Sequence, residues 1–133
     1  MRTASLALIA CSFLLTTAAC GSKPAPDYST PEKALAAMIR AENSGDVAAY
    51  ADCFVQAEQA GMLDVNLDQT AYDEIKPGPV KEHGGFTVGS EDYYIGGKKV
   101  GGQPIAFVKE EGKWKASWKV STEYRTKVLK LPN

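Results

Sequence analysis

An α+β fold, with helices in the first half of the chain and an antiparallel sheet in the second half, is the fold class that this sequence predicts. Three observations support this prediction. Apolar residues recur at helical spacing between positions 31 and 54, glycine, aromatic and β-branched residues become frequent after Val80, and residues 105–121 form two alternating segments around a turn. The chain of 133 residues is long enough for one small domain with a single core.

The first 19 residues are predicted to be a signal peptide, because Arg2 provides a positive start and Ala4 to Leu15 form an apolar run. This run is shorter than the ~20 apolar residues that a membrane-spanning helix needs, so a permanent transmembrane anchor is the weaker alternative. Residues 1–19 are therefore left out of the fold prediction. Residues 20–28 are predicted to be a flexible tether, and residues 29–133 to be the folded domain.

The segment Leu15-Thr16-Thr17-Ala18-Ala19-Cys20 resembles a bacterial lipobox, in which the cysteine is lipidated and becomes the new N-terminus. The resemblance implies a thioether-linked diacylglycerol and an N-acyl chain on Cys20, which would anchor the domain to a membrane lipid layer of the cell envelope, outside the cytoplasm. Thr17 replaces the usual aliphatic residue, so cleavage by an ordinary signal peptidase is the alternative. Cys11 is a second candidate, but cleavage there would leave Phe13 to Leu15 exposed.

Two antiparallel helices are predicted to follow the tether. In the first helix Thr30 is the cap and Pro31 the first residue, where its missing N–H costs nothing. Its apolar face also includes an acidic residue, and the members of this face are Leu35, Met38, Ile39 and Glu42. Residues 43–45 end this helix, and Asp46 caps a second helix that ends near Gly61. The apolar face of the second helix comprises Val47, Tyr50, Ala51 and Phe54.

Residues 62–75 are compatible with both a strand and a helix. We predict an extended entry and then a short third helix capped at Asp68, with Lys76-Pro77-Gly78-Pro79 ending whatever precedes it. Two short strands are predicted at residues 86–88 and 93–95. Glycine-rich turns are predicted at Gly89, at Gly96-Gly97 and at Gly101-Gly102.

A β-hairpin is predicted at the end of the domain, with strands at Ile105–Lys109 and Lys113–Ser121 joined by a turn at Glu110-Glu111-Gly112. Alternation in the second strand predicts one buried face, formed by Trp114, Ala116, Trp118 and Val120. The opposite face is predicted to be exposed and consists of Lys113, Lys115, Ser117 and Lys119. The lysines on this face fit either contact with anionic lipid headgroups or an acidic partner, or a solvated face that protects a sheet edge, and we favour the second interpretation.

Thr30-Pro31-Glu32, Gly45-Asp46 and Gly112-Lys113-Trp114, in this order of elements, resemble motifs of the NTF2-like superfamily and of its small bacterial lipoproteins. The resemblance implies a cone, in which N-terminal helices pack on a curved antiparallel sheet that ends in a β-hairpin and encloses a pocket. The superfamily includes ketosteroid isomerases and scytalone dehydratases as well as many members without catalytic activity, so the fold does not decide the function.

A pocket enzyme of the isomerase or dehydratase type needs a base and a hydrogen-bond donor for the oxyanion. The candidate residue types for these roles are found at Tyr50, Asp52, Tyr72, Asp73, His83, Tyr93 and Tyr94. None of them lies in a motif that matches those enzymes, and we therefore predict no catalytic residue.

The leading hypothesis is a non-catalytic, membrane-anchored envelope lipoprotein that binds a small apolar ligand or a protein partner. The residues that we expect near its pocket, each of which fits an ordinary core position equally well, are Tyr50, Phe54, Trp114 and Trp118. The alternatives are the pocket enzyme and an envelope assembly or interaction module.

No cofactor, metal or nucleic acid is expected. His83 is the only histidine, and we expect it to be exposed. Residues 64–68 begin like a calcium loop, but Gln69 and Ile75 replace the required glycine and glutamate. Residues 96–102 contain a Gly-Lys pair as a phosphate loop does, but they lack its upstream glycine and its following serine or threonine. Cys53 has aromatic neighbours and no nearby cation, which predicts a core thiol, and the net charge of −1 does not favour nucleic acid.

Overall fold

A computed structural model describes residues 23–68 and 71–132. Cys20 and the predicted signal peptide lie outside the described residues, and the lipidation site stays a prediction. The described elements, in chain order, are α1 (Pro31–Asn43), α2 (Val47–Asp52), α3 (Gln56–Met62), β1 (Glu74–Pro77), β2 (Lys81–His83), β3 (Phe86–Ile95), β4 (Lys98–Glu110), β5 (Lys113–Ser117) and α4 (Trp118–Lys127). The predicted α+β class is confirmed. Within the described part of the chain, no helix has the length and apolar character to cross a membrane.

The antiparallel sheet has the strand order β1-β3-β4-β5 and curls into a half-barrel. Strand β2 pairs with β3 as well, so β1 and β2 occupy successive parts of the same β3 edge. Helix α1 packs on the concave face, and its buried residues are Ala34, Leu35, Ala37, Met38, Ile39 and Ala41. The predicted cap is confirmed, because the Thr30 side chain accepts a hydrogen bond from the Lys33 N–H at 3.2 Å.

The predicted second helix is interrupted between residues 52 and 56. Here Phe54 forms a parallel bridge with Ala116 of β5. The Ala116 N–H donates to the Cys53 carbonyl at 2.8 Å, and the Val55 N–H donates to the Ala116 carbonyl at 3.0 Å. The helix breaks because this segment supplies hydrogen bonds to the free edge of β5, which would otherwise leave backbone groups without partners.

The third helix predicted after Asp68 is wrong. Among the residues described there, the chain enters β1, and Ile75 is buried opposite Tyr93. The Asp73 N–H donates to the Tyr94 carbonyl at 2.9 Å, so pairing with β3 begins just before the strand. The spacing of apolar residues was ambiguous, and pairing with a distant strand decided the conformation.

The predicted strands at 86–88 and 93–95 are one continuous strand, and the turn predicted at Gly89 is wrong. A Cβ atom at Gly89 would lie only 2.8 Å from Leu35 Cδ2, so glycine allows α1 to approach the sheet closely. The turn at Gly96-Gly97 is confirmed, with positive φ at both residues. Gly101 and Gly102 lie inside β4, and the turn predicted there is also wrong.

The final hairpin turn is confirmed at Glu111 and Gly112, which have φ values of 50° and 77°. The return strand ends at Ser117, however, and α4 begins at Trp118. The Ser117 hydroxyl accepts from the Val120 N–H at 3.2 Å, and the Glu58 carboxylate accepts from the Trp118 N–H at 2.6 Å. The Ser117 cap and the Glu58 carboxylate of α3 therefore start a helix where we predicted that the strand continues.

The predicted burial of β5 is also corrected. Trp118 is 44% exposed, and Lys115, which alternation placed in solvent, is buried together with Ser117. Both faces of the strand are covered, because α1 contacts the strand and the side chains of Tyr28 and Glu58 meet Lys115 and Ser117 respectively. Strict alternation applies only where one face of a sheet is solvated.

Candidate functional site

A group of polar side chains lies inside the protein between α1 and the concave face of β3. Glu91 is fully buried in the middle of β3, and its Oε2 accepts hydrogen bonds from the Tyr93 hydroxyl at 3.2 Å and from the Gln103 amide at 2.7 Å. The Glu42 side chain, close to the end of α1, contacts the same carboxyl group. The charges of both carboxyl groups act on the hydroxyl group of Tyr50. These five residues are called the acid cluster below.

The acid cluster has unusual protonation properties. Burial, followed by the charge of Glu42, raises the pKa of Glu91 from 4.5 to about 8. The hydrogen bonds from Gln103 and Tyr93 act in the opposite direction, because they favour the ionised form. Burial and the two carboxyl groups also raise the pKa values of Tyr50 and Tyr93. A carboxyl group whose pKa lies near neutrality is suited to exchange protons.

An aromatic pair covers part of the acid cluster. The ring of Tyr72, from the segment between α3 and β1, stacks on Tyr93 with centroids 4.4 Å apart and planes 10° apart. Beside it, the Asn43 amide donates to the Ile75 carbonyl at 3.1 Å, which ties the end of α1 to β1. The cluster therefore carries reactive groups, but Glu91 has no surface that a second molecule could contact.

A cleft of about 350 Å³ lies between residues 23–26 and helices α1 and α2. We call it the anchor-side cleft, because Lys23 is the first described residue after Cys20. The cleft is open because many of the residues that line it have small side chains. These residues are Pro24, Ala25, Pro26, Ala37, Ala41 and Ala49. At its edge Lys23 Nζ and Asp46 Oδ2 form an ion pair at 3.1 Å, beside the exposed Arg40. The cleft is thus a mainly apolar space with charged groups at its edge.

A buried cation lies below the anchor-side cleft. Lys115 Nζ donates to the carbonyl of Asp52, lies 3.6 Å from the Asp52 carboxylate and lies 3.8 Å from the centroid of the Tyr28 ring. The Tyr28 hydroxyl donates to the same carboxylate at 2.7 Å. Burial raises the pKa of Cys53, which lines the cleft, to about 11, so its thiol stays protonated. The predicted core role of Cys53 is confirmed.

The four predicted pocket residues have different environments. Tyr50 and Phe54 are buried together, with ring centroids 5.2 Å apart. Trp114 is half-buried against the core, with Lys109 Nζ 5.6 Å from its ring centroid, whereas Trp118 is exposed on α4. None of the four lines the anchor-side cleft or two further clefts of about 380 and 400 Å³ among the described residues.

The predicted candidates for acid–base chemistry lie in different parts of the structure. Tyr50, Tyr72 and Tyr93 belong to or cover the acid cluster, as described above. Asp73 accepts from the Gly96 N–H at 2.6 Å and serves the turn after β3. His83 is exposed as predicted, and its Nδ1 lies 2.8 Å from the Tyr124 hydroxyl.

Sequence reasoning missed Glu91 as the centre of the acid cluster. One signal was available, because Glu42 shares the apolar face of α1 with Leu35, Met38 and Ile39. An acid on such a face needs a polar partner in the core. The partner could not be identified, since interrupting β3 at Gly89 removed the alternation that places Glu91 on the concave face.

Within residues 23–68 and 71–132, no group of three or more acidic, histidine or cysteine side chains could hold a metal ion. Comparison with protein-family models, with curated proteins and with solved structures finds no match to this chain.

Proposed function

We propose that this chain is a non-catalytic lipoprotein of a bacterial cell envelope, anchored through a lipid on Cys20, that binds a small apolar ligand in the anchor-side cleft. The observation that carries the proposal is the cleft itself. Its volume of about 350 Å³ falls within the range of small-molecule sites, and its walls are mainly small apolar side chains. Two residues lie between Cys20 and Lys23, and the extended chain from one to the other spans at most about 10 Å. The cleft therefore opens close to the proposed anchor.

The proposal includes an NTF2-like relationship for the domain. Helix α1 on the concave face of a curled antiparallel sheet supports it, as do the Thr30 cap and the turn before Trp114. The long β3 and β4 strands supply the curved wall that such a cone requires. Common ancestry is the proposed explanation for this arrangement.

An acid–base enzyme is the second candidate, and one observation favours it. Glu91 combines a pKa of about 8 with a hydrogen bond from a tyrosine hydroxyl, which is a pairing suited to proton abstraction beside a carbonyl group. The complete burial of Glu91 weighs against this candidate, because a general base must lie within hydrogen-bond reach of its substrate. We therefore prefer the binding function.

Fractionation of cells that produce the full chain tests the anchor. The wild-type protein is expected in the membrane fraction, whereas Cys20→Ala is expected in the soluble fraction of the envelope, since it removes the lipid-bearing thiol. Cys11→Ala is the matched control and should remain with the membrane. Membrane association of Cys20→Ala equal to that of the wild type would refute lipidation at this residue.

Native mass spectrometry of the full chain from its own membrane tests the ligand. The wild type is expected to retain an additional apolar molecule that is lost in Ala49→Leu, because the added side chain projects from the cleft wall. Ala48→Leu makes the same change at the neighbouring exposed residue outside the cleft lining and should retain the molecule. Equal retention in both variants would exclude the cleft as the binding site.

A further inference from the structure

Glu91 occupies a position that a permanently ionised side chain does not tolerate. It is fully buried, and its Oε2 already accepts two hydrogen bonds, from Tyr93 and Gln103. Its other oxygen, Oε1, is also buried and receives no hydrogen bond from the N–H and O–H groups of the described residues. An ionised carboxylate with one oxygen in this state is costly to bury, whereas a proton on Oε1 turns that oxygen into a donor.

An acceptor for such a proton lies opposite. The Glu42 carboxyl group from α1 is in hydrogen-bonding contact with Glu91 and perturbs it through both that bond and its charge. The remaining groups that face Glu91 are Tyr50 from α2, Tyr93 on its own strand and Gln103 from β4. Among these described neighbours none is cationic. Because two carboxylates in contact do not both ionise in such a site, one proton shared between them removes the repulsion between like charges.

This contact lies where three parts of the fold meet. Glu42 is next to Asn43, which holds the end of α1 to β1, and Tyr93 carries the stacked ring of Tyr72. The segment from α3 to β1 covers the acid cluster through this ring and has no regular secondary structure in its described part. Repulsion between the two carboxyl groups would therefore act on α1, on β3 and on the aromatic cover together.

We propose that Glu42 and Glu91 share a single proton that holds the end of α1 and the Tyr72 cover against the sheet, and that loss of this proton opens the concave face. This device is independent of the anchor-side cleft and goes beyond the proposed binding function. The pKa of Glu91, about 8, places the release just above neutral pH. The switch responds to the pH of the medium around the domain and requires no other ligand.

Infrared spectroscopy of the purified full chain tests the shared proton. At pH 6.5 the carbonyl band of a protonated carboxyl group is expected in the wild type, because exposed acids are ionised at this pH. The band should disappear by pH 9.5. Glu91→Gln should remove it at both pH values. Glu42→Gln removes the like charge and offers an amide donor to the Glu91 carboxylate, so in this variant the band should disappear at a lower pH than in the wild type. Glu74→Gln, at an exposed acid on β1, is the control and should keep the wild-type band.

Amide hydrogen exchange tests the opening. After correction for the intrinsic effect of pH, residues 63–68 and 71–73 of the wild type should exchange at least tenfold faster at pH 9.5 than at pH 6.5. Glu42→Gln, in which no second carboxylate repels Glu91, should show no such change. A folded wild type without the protonated band at pH 6.5, or a band that Glu42→Gln loses at the same pH as the wild type, overturns the shared proton. Unchanged exchange of residues 63–68 and 71–73 overturns the proposed opening.

Discussion

The acid cluster and the anchor-side cleft both border helix α1, yet they differ in what they offer to another molecule. The acid cluster holds a carboxyl group with a raised pKa and tyrosine hydroxyls, but Glu91 has no exposed surface. The anchor-side cleft has about 350 Å³ of space, lined largely by alanine and proline. Between these two regions, the carboxyl group with a raised pKa and the accessible volume are thus separated. A site for catalysis needs both together, which is why the comparison favours binding over catalysis.

The largest expected effect tests whether the concave side is filled and the cleft side is open. Leu35 is fully buried between α1 and the sheet, and Leu35→Ala should lower the free energy of unfolding by about 2–5 kcal/mol because it leaves a cavity. Ala49→Leu adds the same group beside the cleft and should change stability by no more than about 0.5 kcal/mol. Urea denaturation measures both variants. Equal costs would remove the distinction between the two regions.

The pH dependence of stability sharpens the comparison further. The pKa of Glu91 is raised from 4.5 to about 8 in the folded state, so its favourable contribution is complete below pH 4.5 and is lost as the pH rises to about 8. The free energy of unfolding should fall across this window by up to about 1.4 kcal/mol per pH unit. Asp27 and Asp46 have the opposite effect on stability. Hydrogen bonds, first from Lys33 to Asp27 and from the Ala49 N–H to Asp46, lower the pKa values of these carboxyl groups. Their contribution to stability is therefore lost as the pH falls below 3.8.

Denaturation series at several pH values measure this slope, and Glu91→Gln should reduce it. The Ala49→Leu variant on the cleft side serves as the control and should keep the wild-type slope, because it leaves the acid cluster untouched. A wild-type stability that rises between pH 5 and pH 8 would contradict the raised pKa of Glu91.

A smaller effect is expected from the buried cation below the cleft. Lys115→Met keeps the apolar stem but removes the bond to the Asp52 carbonyl and the contact with the Tyr28 ring, at a cost of about 1–2 kcal/mol. The Asp52 carboxylate is half exposed, so little of the cost comes from that ion pair. Lys113→Met, at an exposed residue of the same strand, should be nearly neutral. Thermal unfolding distinguishes the variants, and equal losses would argue against the buried position of Lys115.

The smallest effect is expected outside both regions. Trp118 is 44% exposed at the start of α4, and Trp118→Ala should change the unfolding free energy by less than about 0.5 kcal/mol. The strand predicted from the sequence would instead place this side chain in the core, where its loss costs about 3–5 kcal/mol. Chemical denaturation of this single variant decides between the two environments.

Local signals in the sequence determined the parts of the fold that depend on neighbouring residues. Thr30 and Pro31 start α1 because a cap and a fixed φ act within one turn of the chain, and Gly112 permits the turn for the same reason. The core character of Cys53 also followed from its aromatic neighbours. In each case the physical cause lies within a few residues of its effect.

Tertiary structure decided what depends on distant partners. Strand β5 ends at Ser117 because Glu58 of α3 accepts hydrogen bonds from the first turn of α4, and alternation along β5 could not reveal this. The helix break at Phe54 exists because the β5 edge needs hydrogen-bond partners, and Lys115 is buried because Tyr28 and Asp52 meet it there. The sequence alone indicated that Glu42 lies on the apolar face of α1. Only the folded chain brings Glu91 against Glu42. Burial and the like charge then raise the pKa of Glu91, and both causes require segments that are distant in the sequence.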